Sequence, residues 1–77
     1  ITQQQYARER AAFGLRMLEG IDLEQLSLES QLDLRTMCAQ SIDYCLRQHW
    51  IEFADNRLRL THQGVMFADA VAAEFLG

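Results

Sequence analysis

The spacing of apolar positions divides the chain into four helical stretches and one stretch of a different period. From Thr2 to Glu19, the residues Tyr6, Arg10, Phe13, Met17 and Leu18 fall near one stripe at 3.6-residue spacing. That pattern predicts a helix with this stripe as its apolar face and Gly20 as its C-terminal stop. Gly14 lies inside the helix, where glycine costs about 1 kcal/mol against alanine; such a glycine is tolerated where another backbone packs close. Asp22 is a good N-cap for a second, shorter helix, with Gln25 at the capping-box position and Leu23 and Leu26 as an apolar edge. Ser27 to Gln31 is polar apart from Leu28 and predicts a turn. Asp33 caps a third helix, about Leu34 to Gln48, whose stripe is Leu34, Cys38, Ile42, Cys45 and Leu46 with Met37 flanking.

Beyond this helix the period changes. Trp50 to Phe53 and Arg57 to Leu60 read as two short strands, the second alternating as a half-buried strand does, with Ala54, Asp55 and Asn56 as the tight turn of a hairpin. Thr61 then caps a last helix, about His62 to Leu76, with Ala68, Val71, Ala72 and Phe75 on its apolar face and Met66 and Phe67 beside it. The order predicts one mainly α domain over residues 1–77 with a small β-hairpin (α+β). It is winged-helix-like: three helices, a two-stranded antiparallel hairpin and a C-terminal helix.

Composition adds limits to this picture. With 77 residues and 49% hydrophobic content the chain is one small domain, which excludes a disordered tail. A domain this small has a modest stability of about 4–10 kcal/mol. No apolar run approaches the roughly 18 residues of a membrane span. The chain begins at Ile1, without an initiator Met or a targeting segment, and is expected to be a piece of a longer protein. Cys38 and Cys45 stand i,i+7 on one helix, roughly 10 Å apart and too far for a disulfide. A chain without a staple suits a reducing compartment, so a cytoplasmic location is expected.

Charge decides whether a winged helix here is expected to bind nucleic acid. The net charge is −4, from eleven acidic and seven basic residues, all seven of them arginine. Asp22, Glu24, Glu29 and Asp33 concentrate acid in residues 21–33, where they would lie beside a phosphate backbone and repel it. The third helix, the recognition helix of such a fold, offers only Arg35 and Arg47 with Asp43 between them, whereas nucleic-acid readers neutralise several phosphates. Arg57 and Arg59 read as solvated strand residues that discourage edge pairing. No nucleic acid is therefore expected as a partner. The alternative is a free-standing winged-helix module for protein or DNA interaction, motivated by architecture alone.

Candidate chemistry is sparse. Cys38 and Cys45 lie on an apolar stripe and read as buried packing residues. His49 and His62 flank the hairpin, and a histidine pair can ligate a metal or a haem iron, but nothing else in the sequence supports that role. His49 stands where the helix must turn into the strand, a position of left-handed geometry, and His62 reads as an exposed first-turn residue. Thr61 and Gly64 read as architecture: the hydroxyl caps the last helix and the glycine lets its first turn pack against the hairpin. Arg16 reads as one half of an ion pair, with Glu19, an acid of the second helix or a partner domain. The carboxylates form no acid/base pair, so no catalytic, cofactor-binding or metal-binding residue is expected.

These residues carry a resemblance. The run Gly14, Leu15 and Arg16, then Glu19 to Asp22, then Arg57 to Gly64 with Leu60, Thr61 and Gly64 in order, resembles the C-terminal domain of oxygen-independent coproporphyrinogen III oxidase-like proteins. Glu9, Phe75 and Leu76 also fit, so the similarity covers about Glu9 to Leu76. That family includes coproporphyrinogen dehydrogenases and related haem chaperones. The resemblance implies an N-terminal radical S-adenosylmethionine barrel in the same chain, with a CxxxCxxC motif holding a 4Fe-4S cluster, and a porphyrin or haem handled by the whole protein. What carries over onto this sequence is the scaffold Gly14, Leu15, Arg16, Gly20, Leu60, Thr61 and Gly64. Cys38 and Cys45 do not match the cluster motif. The family commonly has glycine at the end of the third helix, where this chain has His49.

Overall fold

A computed structural model describes residues 2–77. In chain order it forms helices α1 (Gln3–Leu15), α2 (Leu23–Ser30), α3 (Leu34–Met37) and α4 (Ala39–Arg47), strands β1 (Ile51–Ala54) and β2 (Arg57–Leu60), and helices α5 (His62–Met66) and α6 (Ala68–Leu76). The helix starts follow their expected caps. The side chains of Asp22, Asp33 and Thr61 accept hydrogen bonds from the amides of Gln25, Thr36 and Gly64, and Thr2 caps α1 in the same way. Gln25 does not complete a capping box, because its side-chain Nε2 donates forward to Glu29 instead.

The third predicted helix is α3 and α4, joined through Cys38 at φ −103° and ψ 17°. The amide-to-carbonyl bonds run on through the bend, from Cys38 to Leu34 at 2.8 Å and from Ile42 to Cys38 at 2.9 Å, so Leu34, Cys38, Ile42 and Cys45 still share the buried face. The last predicted helix divides likewise at Phe67, whose ring stacks on Trp50 with centroids 5.1 Å apart. The turn predicted over Ser27 to Gln31 is overturned: α2 continues to Ser30, and Gln31 ends it at φ 59°. Leu26 is buried and anchors that extra turn.

The hairpin is antiparallel, with Ile51 opposite Leu60 and Ala54 opposite Arg57. Its two-residue turn has Asp55 at φ 53° and Asn56 at φ 64°, the twist that suits a tight hairpin. A further bridge pairs Ile21 with Leu58 on the free edge of β2, which the sequence pattern did not signal.

The first helix departs most from its pattern. It ends at Leu15, and tight turns carry the chain from Arg16 to Gly20. Gly20 is therefore not the helix stop; it takes φ +74° where the chain turns into the bridge with β2. The buried face of α1 is Ala7, Ala11, Ala12 and Leu15, which packs mainly on α6, where Val71 and Phe75 are buried. Small alanines allow close helix approach. The predicted stripe points outward instead, with Tyr6 and Met17 52% exposed and Phe13 67% exposed. The core of the described residues holds no buried polar or charged side chain. No helix among them is long and apolar enough to cross a membrane.

Candidate functional site

The scaffold residues gather at two backbone junctions, one on each flank of β2. At the first, the amide of Ile21 donates to the carbonyl of Leu58, and that of Leu58 to the carbonyl of Ile21, both at 2.8 Å. Gly20 makes the approach possible: a Cβ there would overlap the Leu58 carbonyl oxygen and lie 2.8 Å from the Cα of Arg59. Gly14 faces the same segment, and a Cβ on it would run into the Cγ2 methyl of Ile21. A close approach was expected at Gly14, but its neighbour is a side chain rather than a backbone. Leu15, 1% exposed, roots the motif in the core.

At the second junction the Thr61 hydroxyl has two partners. It accepts from the Gly64 amide at 2.9 Å and donates to the His49 carbonyl at 2.6 Å. His49 takes φ 62° to end the helix, as its position predicted. The Thr61 amide donates to the Trp50 carbonyl at 2.9 Å. A Cβ on Gly64 would overlap that same oxygen and sit 2.7 Å from its carbon. Leu60 pairs with Ile51 beside this knot.

Arg16 is paired, though not with the acids the sequence suggested. It binds Asp69 of α6, tying the turn after α1 to the last helix. The other arginines are also engaged. Arg10 meets Glu29 and the Tyr6 hydroxyl, Arg47 meets Asp43, and Arg59 meets Glu52 at 2.9 Å. Arg35 lies over the Phe53 ring at 5.1 Å, and Arg57 donates to the Gly20 carbonyl. Arg8, which the pattern did not single out, donates to the carbonyls of Met37 at 3.2 Å and Phe75 at 3.4 Å. It thereby binds the last turns of two helices, where a cation is favoured. An arginine on an otherwise polar stretch gives no signal of such a role.

A groove of about 530 Å³ opens between α1, α2 and the Gly20 segment. Tyr6 and Phe13 line its apolar side; Glu9, Arg10, Asp22, Glu29 and Arg57 supply its charge. Thr36, through its hydroxyl and its amide, holds the Asp33 carboxyl below its ordinary value. Burial pushes the Cys45 thiol up to about 11, with Glu74 adding to the effect, and raises Cys38 as well. Both cysteines are free and buried. Among the described residues no group of three His, Cys, Asp or Glu side chains is placed to hold a metal. Two buried cysteines facing the core do not supply the set of three or four thiolates that a 4Fe-4S cluster takes.

Helices, bridge and hairpin in this order define a winged-helix-like α+β domain. Residues 1–67 match the family model for the HemN C-terminal domain, and the chain belongs to that family of coproporphyrinogen oxidase-like proteins. Searches of curated proteins and of solved structures return no match.

Proposed function

We propose that the chain serves as the C-terminal accessory domain of an oxygen-independent coproporphyrinogen III oxidase-like radical S-adenosylmethionine protein. In this reading it packs on the catalytic barrel and helps cover the tetrapyrrole site, working in the cytoplasm, with the cluster and the cofactor held entirely by the barrel. The observation that carries the reading is the match over residues 1–67 to a domain that is C-terminal in its family. The placement of the scaffold residues supports it, since Gly14, Gly20, Thr61 and Gly64 all sit at chain crossings and none faces a reactive group. Nucleic acid has no part in the reading, because all seven arginines already have partners within the domain.

The test compares the protein carrying both domains with a version truncated before residue 1. Removal of the domain is expected to leave iron and sulfide content unchanged while porphyrin or haem binding falls. The purified 77-residue chain, reconstituted with iron and sulfide, is expected to take up no stoichiometric cluster and to cleave no S-adenosylmethionine. A cluster in that chain, or full tetrapyrrole binding without it, would sink the reading.

A further inference from the structure

We draw no further inference here: the strongest candidate, the surface aromatic cluster of Tyr44, Trp50 and Phe67 where α4 and the joint between α5 and α6 meet the start of the hairpin, is an unpartnered face, and nothing among the described residues shows what covers it.

Discussion

At the scale of the residue, glycine and threonine fix the chain crossings, and they do so with different tolerance. Gly64 is opposed by the backbone carbonyl of Trp50, which is itself held by the Thr61 amide and cannot withdraw without breaking the hairpin closure. Gly64→Ala is therefore expected to lower the unfolding free energy by about 3 kcal/mol, the upper part of the usual overpacking range. Gly14 is opposed only by the Ile21 side chain, and alanine there recovers about 1 kcal/mol of helix propensity. Gly14→Ala is expected to cost no more than about 1–2 kcal/mol. Urea unfolding of both variants, followed by circular dichroism, checks the order; a Gly14→Ala variant less stable than Gly64→Ala contradicts it. Both glycines stand out in the sequence as members of the resemblance. What opposes each one is a tertiary fact that spacing along the chain does not carry.

At the scale of the element, the legible features were those written locally. Asp22, Asp33 and Thr61 cap their helices as their positions dictate, and the alternation of Arg57 to Leu60 sets the register of the hairpin. The buried stripe of the third helix was readable because Leu34, Cys38, Ile42 and Cys45 are its apolar residues on one face. The first helix was misread because its core face is built from alanine. On a hydropathy pattern Ala7, Ala11 and Ala12 are outweighed by Tyr6, Phe13 and Met17, although the close packing with α6 selects the small residues. The Ile21 bridge was invisible for a different reason: a single paired residue has no period. Capping at this scale also has a pH signature. The Asp33 carboxyl titrates below its ordinary value of 3.8 in the folded state, because the Thr36 hydroxyl and amide favour its charged form. Its contribution is fully present above the unfolded value and is lost as pH falls through the lower folded one. Asp33→Asn, which keeps a capping oxygen without a titrating charge, is expected to flatten the fall of the urea midpoint as pH drops below the ordinary value of 3.8. A fall as steep as in the parent chain would show that the cap charge contributes nothing.

At the scale of the whole molecule, a chain of 77 residues has little interior to divide among the six helices and the hairpin of its described residues, and it has left large apolar side chains outside. In an autonomous domain of a few kcal/mol such residues would be a solubility liability, since exposed apolar patches of this kind promote association. The two faces of α1 separate inside from outside within one helix. Leu15 is 1% exposed and Phe13, two residues earlier, is 67% exposed. Leu15→Ala is expected to lower the unfolding free energy of the 77-residue chain by about 3 kcal/mol through lost burial and a residual cavity. Phe13→Ser combined with Met17→Ser is expected to change it by less than about 0.5 kcal/mol and to raise the concentration at which the isolated chain stays monomeric. The contrast follows from geometry alone: the aromatic stripe that reads as the core of the first helix has no core to enter, because the alanines opposite it already meet α6. If the serine pair destabilises the isolated chain as much as Leu15→Ala does, the outer face is part of the fold.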